Sequence, residues 1–208
     1  MKKVFPQYLD KTLDNFEATT PNLEKAVKVT RNYIDNLKEM KDQGRGITFV
    51  GENGVGKTHL ACAVLSAVRS PDRDQWLTRK PVSIECIELA TWIDLWQETF
   101  KLSGEDERYH YISDQLRYVK RVSFLLLDDL GREHESVSGW SNERVFDLLR
   151  YRHNRCLPTL ITTNIPIENG DAPMDLKRRY SEGMSSFLNG TSVIFEMEGE
   201  DYRCAVDR

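Results

Sequence analysis

The chain has 208 residues, of which 39% are apolar and 30% charged, so it reads as one soluble globular domain rather than a disordered chain. Its net charge of −4 excludes a global positive field for nucleic acid, and any such contact must come from a local basic patch.

The first 20 residues are mixed and irregular, and no apolar stretch follows Met1-Lys2-Lys3, which excludes a secretory signal. Thr20-Pro21 has the form of an N-cap with proline at the first helical position. Leu23, Ala26, Thr30, Tyr33, Ile34 and Leu37 then recur at helical spacing, which predicts one amphipathic helix over 21–41. Ile47–Val50 reads as a short buried strand, and Lys57–Val68 as a helix after a glycine-rich loop. Further along, strands are expected at Val82–Ile87, Ser123–Leu127, Thr159–Thr163 and Ser192–Met197. Helices are expected at Leu89–Phe100, Tyr109–Val119, Asn142–Arg155 and Asp175–Leu188. Strands alternating with helices imply a parallel α/β sheet covered on both faces, with its ligand at the carboxyl edge.

Four cysteines (Cys62, Cys86, Cys156, Cys204) are scattered, with no paired spacing and no histidine at metal-ligand distance in sequence. A zinc site and a disulfide framework are not expected, and a reducing compartment, the cytoplasm, fits best. No run approaches the roughly 20 apolar residues of a membrane span, so no membrane partner is expected.

Gly51-Glu52-Asn53-Gly54-Val55-Gly56-Lys57-Thr58 matches the phosphate-loop pattern G-x-x-x-x-G-K-[ST] in full, between a strand and a helix as its chemistry requires. The glycines let backbone N–H groups converge on a phosphate, and the helix start adds its positive end. Lys57 can reach the β- and γ-phosphates of ATP, and the Thr58 hydroxyl can ligate Mg²⁺. Phe124-Leu125-Leu126-Leu127-Asp128-Asp129 is a buried strand running into two carboxylates. Asp128 suits Mg²⁺, directly or through water, and Asp129 suits the polarisation of an attacking water. Asn164, after Thr162-Thr163, can hydrogen-bond a γ-phosphate or the lytic water, or simply make a turn with Ile165-Pro166; spacing alone favours the turn. The basic clusters Lys120-Arg121, Arg150/Arg152/Arg155 and Lys177-Arg178-Arg179 read as solvated helix faces. Trp92 and Trp96, four apart on a helix, read as core.

Several motifs together resemble a known family. Lys11-Thr12-Leu13-Asp14-Asn15-Phe16, Gly56-Lys57-Thr58-His59-Leu60-Ala61, Leu127-Asp128-Asp129-Leu130-Gly131, Pro158–Asn164 and Gly199-Glu200-Asp201-Tyr202-Arg203 run through nearly the whole chain in order. In that order they resemble the AAA+ helicase loaders of the DnaC/DnaI type and the related IstB-like transposition ATPases. The resemblance implies an AAA+ P-loop fold with strand order 5-1-4-3-2 and little or no helical lid. It implies ATP and Mg²⁺ as cofactors, with Gly51–Thr58 and His59 around the phosphates and Asn15 and Phe16 near the adenine. Asn164 becomes the polar sensor of the γ-phosphate, and Arg203 a second, C-terminal sensor. Residues 89–121 would hold a helical insertion shared with replication initiators.

The implied function is an ATP-hydrolysing replication-initiation factor. It would assemble with itself on single-stranded DNA and help load a hexameric replicative DNA helicase. An IstB-like ATPase directing a transposase, and a nucleotide-binding assembly module with little hydrolysis, are the alternatives. Two departures stand out. Loaders of this type usually carry an N-terminal helicase-binding domain ahead of the lead-in segment. Here that segment occupies residues 1–20, the ATPase domain is expected over 21–208, and no helicase-binding domain is expected. The family's trans arginine would fall near Ser185-Ser186, so Arg178 or Arg179 is the candidate substitute.

Overall fold

A computed structural model describes residues 10–70, 82–133, 139–168 and 174–202. In chain order the elements are α1 (Pro21–Asp35), α2 (Leu37–Asp42), β1 (Gly46–Gly51), α3 (Lys57–Val68), β2 (Ile84–Glu88) and α4 (Leu89–Thr99). Then follow α5 (Glu107–Arg121), β3 (Phe124–Leu130), α6 (Trp140–His153), β4 (Thr159–Thr163), α7 (Leu176–Arg179), α8 (Glu182–Thr191) and β5 (Ser192–Met197). Every paired strand is parallel, and the order is β2-β3-β4-β1-β5, which is the expected 5-1-4-3-2 read from the other edge.

The apolar runs of the strands are continuous because both sheet faces are buried. Phe124 and Leu126 of β3 face a core with Ile47, Phe49, α1 and α3. Leu125 and Leu127 alternate to the other face, against α4, α5, α6 and α8.

The sequence-based boundaries differ from the structure in three informative places. The predicted helix over 21–41 is broken at Asn36, whose side-chain Nδ2 donates back to the Asn32 carbonyl at 2.8 Å while its backbone leaves helical geometry. Such back-bonding competes with the helix ladder, and the bend turns Leu37 fully inward. The predicted helix over 175–188 divides at Tyr180–Ser181, where the Ser181 hydroxyl accepts from Met184 N at 3.1 Å and caps α8 afresh. Strand β3 continues beyond Leu127 to Leu130 through a register shift against β4.

Two arginines read as solvated are buried instead. Arg152 has no exposed surface and donates to the carbonyls of Val119, Val122 and Pro158 at 2.8–3.1 Å and to Thr159 Oγ1 at 2.9 Å. It ties the end of α5 to the start of β4. Burial pulls its pKa down to about 9, and it stays charged at neutral pH. Arg179 is described with the site below.

Candidate nucleotide site

β1 ends at Gly51 and the chain turns through the phosphate loop into α3. Gly54 and Gly56 have φ of +78° and +97°, the left-handed region that side chains disfavour. A Cβ on Gly56 would come within 2.5 Å of the Phe16 ring, and one on Gly54 would collide with the Asp201 carboxylate. Glycine at these positions therefore serves two ends: it lets the backbone turn, and it lets Phe16 and the C-terminal segment close on the loop. The Lys57 ammonium donates to the carbonyls of Gly51 and Glu52 at 2.8 and 2.7 Å, so the loop holds its own cation across its mouth.

The carboxyl ends of β3 and β4 supply the acidic wall. Thr58 Oγ1 and Thr162 Oγ1 both donate to Asp128 Oδ1, at 3.0 and 2.6 Å. The same Thr162 oxygen accepts from Asp129 N at 2.9 Å. Asp129 sits at the bulge in β3 with φ of +58°. Successive strand residues ordinarily point to opposite faces, and a bulge re-aims one of them. Here it lets Asp128 and Asp129 line the same cavity. Burial raises the Asp128 pKa; the Thr162 hydrogen bond opposes this, the Asp129 charge adds to it, the Thr58 hydrogen bond opposes it and Glu88 adds to it.

The lead-in segment forms the opposite wall. His59 Nε2 faces the Thr12 carbonyl at 2.9 Å and Asn15 Oδ1 at 3.0 Å. Both are acceptors, so Nε2 carries the proton. Phe16 packs edge-on against the His59 ring at 5.1 Å. Burial lowers the His59 pKa, consistent with a neutral ring that serves as a strut. Asn15, Phe16, Asn53–His59, Asp128 and Asp129 thus surround one cavity of about 750 Å³, within the range of cofactor sites.

Asn164 lies beside the loop, not on the cavity wall: its Nδ2 donates to Asn53 Oδ1 at 2.8 Å. Its own Oδ1 is buried without a hydrogen-bond partner among the described residues. Arg179 is 6% exposed and forks onto Glu133, with a further bond to Asn142 Oδ1 at 3.1 Å. These contacts tie its guanidinium to its own chain. Arg178, next to it, is exposed. Arg203 lies outside the described residues.

Several residues of the site had no role in the reading of the sequence. Thr162, buried behind the cavity, and Tyr202, on it, were parts of motifs without a role. Glu88 ends β2 beside Asp128 in register, and an acid at the carboxyl end of a buried strand was the available signal. Arg132 and Glu17 had none: residues outside the helices and strands reach the cavity only through the fold.

A phosphate loop after β1 and a paired-carboxylate end on β3, in a parallel sheet of this order, define a P-loop ATPase of the AAA+ type. The profile of the IstB-like ATP binding protein family matches residues 9–206, and the chain belongs to that family. Among solved structures it is similar to the DnaC helicase loader, with a TM-score of 0.73 at 26% identity over 93% of this chain and 100% of that one. It is also similar to DnaI, with a TM-score of 0.64 at 21% identity over 95% and 93% of the two chains. Domain III of the DnaA replication initiation protein from Thermotoga maritima gives a TM-score of 0.66 at 18% identity, over 95% of this chain and 69% of that one. The last two are likenesses of fold. No curated protein sequence matches the chain. No helix among the described residues is long and apolar enough to cross a membrane.

Proposed function

We propose that the chain is an ATP-hydrolysing assembly factor of DNA replication, which self-associates on single-stranded DNA and helps load a hexameric replicative helicase. The observation that carries the ATPase part is the single cavity joining Lys57 and Thr58 to Asp128 and Asp129. The loader part is supported by the end-to-end likeness to the DnaC helicase loader. Arg178, exposed in α7, is the more accessible of the two candidates for an arginine offered to a neighbouring subunit.

The residues fit the ligands. Lys57 exchanges its loop carbonyls for β- and γ-phosphate oxygens, and the glycine nest and the start of α3 hold the rest. Phe16 and Asn15 bound the end where the base lies. Thr58 and Asp128 would hold Mg²⁺, which supplies charge neutralisation between the β- and γ-phosphates. Asp129 accepts the proton of a water whose oxygen attacks the γ-phosphorus. The bond to the β–γ bridging oxygen breaks and its electron pair leaves on ADP. Asn164, whose Nδ2 donates to Asn53 Oδ1 of the phosphate loop, is the γ-phosphate sensor in this reading and acts through that loop residue. Arg203, from the same C-terminal segment that reaches Gly54, is the second sensor in this reading.

Family membership favours a second reading, an IstB-like ATPase that directs a transposase to target DNA. Capture of the host's replicative helicase by the tagged chain in ATP and Mg²⁺, compared with capture of a transposase, separates the two. ATP turnover measured with and without single-stranded DNA tests the coupling. Capture of helicase that is lost in ADP supports the loader; capture of transposase alone overturns it.

A further inference from the structure

The arginine that AAA+ chemistry calls for has one further source within this chain. Arg132 follows the acidic strand end by three residues. Its Nη1 donates to Asp129 Oδ2 at 3.0 Å, and both side chains line the nucleotide cavity. Among the described residues on that cavity it is the one arginine. Its side chain is 61% exposed, whereas that of Asp129, which it holds, is 31% exposed.

The backbone around it is fixed on both sides. Arg132 N donates to the Asp129 carbonyl at 3.1 Å, closing a tight turn. Glu133, the next residue, is buried and accepts from Gly131 N at 3.0 Å, from the Tyr180 hydroxyl at 2.6 Å and from Arg179 at 2.9 Å. Those contacts explain why Arg179 is spent on structure. They also leave Arg132 as a largely exposed fork on a hydrogen-bonded turn, paired with the carboxylate that would polarise water.

We infer that Arg132 is a cis arginine that binds the γ-phosphate of ATP and, in doing so, releases Asp129 to act as base. The inference rests on the ATPase reading and names its γ-phosphate contact. Paired as it is with Asp129, the guanidinium offsets that carboxylate's charge and occupies one of its oxygens. A γ-phosphate offers the same fork two or three oxygens and a larger negative charge, so the fork transfers to it. ADP offers no such group, and Arg132 stays on Asp129. The exchange makes hydrolytic competence depend on the third phosphate.

The test uses the full chain with Mg²⁺. Affinities for ADP and for a non-hydrolysable ATP analogue are measured for wild type, Arg132→Ala, Arg132→Lys and Lys57→Ala, together with ATP turnover. Arg132→Ala should lose about tenfold in affinity for the analogue and less than about twofold for ADP. Its turnover should fall by about tenfold or more. Arg132→Lys should lie between, since a point charge replaces the fork. The melting temperature should not change, because the side chain is exposed. Equal losses for both nucleotides, no loss, or faster turnover with the ATP preference intact would each overturn the inference. A wild-type chain that binds neither nucleotide overturns the ATPase reading itself. One that binds both, loses both in Lys57→Ala and keeps its preference in Arg132→Ala overturns the role of Arg132 alone.

Discussion

Thr162 Oγ1 donates to Asp128 Oδ1 at 2.6 Å and accepts from Asp129 N at 2.9 Å, so one buried hydroxyl on β4 fixes both carboxylates at the end of β3. The bond crosses the sheet at the place where the β3–β4 register shifts. It therefore holds the bulge in place as well as the two side chains.

Replacing Thr162 by Val keeps the shape and removes both hydrogen bonds. It leaves Asp129 N without its acceptor and Asp128 with Thr58 alone among these hydroxyl donors, a cost of about 1–3 kcal/mol. ATP turnover should fall by about 10–10² as the carboxylates lose their aim, while ATP affinity, set by Lys57 and the loop, should change little. Turnover and nucleotide binding measured side by side check this. A Val variant with wild-type turnover would show that Thr162 does not position the site.

Asp128 is held against its own charge in the ligand-free protein. Burial, the largest cause, raises its pKa, so the folded state binds its proton more tightly than the unfolded state does. The stability it contributes is therefore greatest at low pH and is lost as pH rises through the folded pKa. Asp128→Asn keeps an acceptor for Thr58 and Thr162 and removes the charge. At pH 7 the variant should be more stable than the wild type and melt at a higher temperature. The gain should vanish below about pH 4, where the native carboxyl is neutral. Thermal melts from about pH 3 to about pH 8 check both the sign and the window. The same variant should lose Mg²⁺-dependent turnover.

Arg152 is a structural cation far from the nucleotide. Arg152→Met would leave the carbonyls of Val119, Val122 and Pro158 without their shared donor. A loss of ~3 kcal/mol follows, or about 6–12 °C in melting temperature. The nucleotide affinity of the folded fraction should be unchanged. A variant that melts like wild type would mean that the α5–β4 junction does not depend on this side chain.

The phosphate loop and the acidic strand end were legible because their chemistry is local. Gly51–Thr58 must be contiguous to wrap a phosphate, and an apolar run ending in Asp128-Asp129 is a buried strand meeting a polar edge. β4 and β5 were legible to the residue, since both are apolar runs bounded by turn or helix signals. What was not legible depends on distant partners. Arg152 and Arg179 sit in runs of basic residues that look solvated, and only the fold supplies the carbonyls and the Glu133 that bury them. The breaks at Asn36 and Ser181 came from side chains that bond the backbone locally, where the apolar period runs on unbroken. Arg132 sits on a loop with no periodicity to read, and only the fold places it on the same cavity as Lys57.

The proposed function depends first on ATP binding by Gly51–Thr58 through Lys57. Direct calorimetric titration of ATP with Mg²⁺ into the wild-type chain and into Lys57→Ala tests it. The account predicts one site in the wild type and at least about tenfold weaker binding in the variant, the loss of a charge-assisted contact to phosphate. Equal affinity in the two chains, or no binding to the wild type, would contradict it.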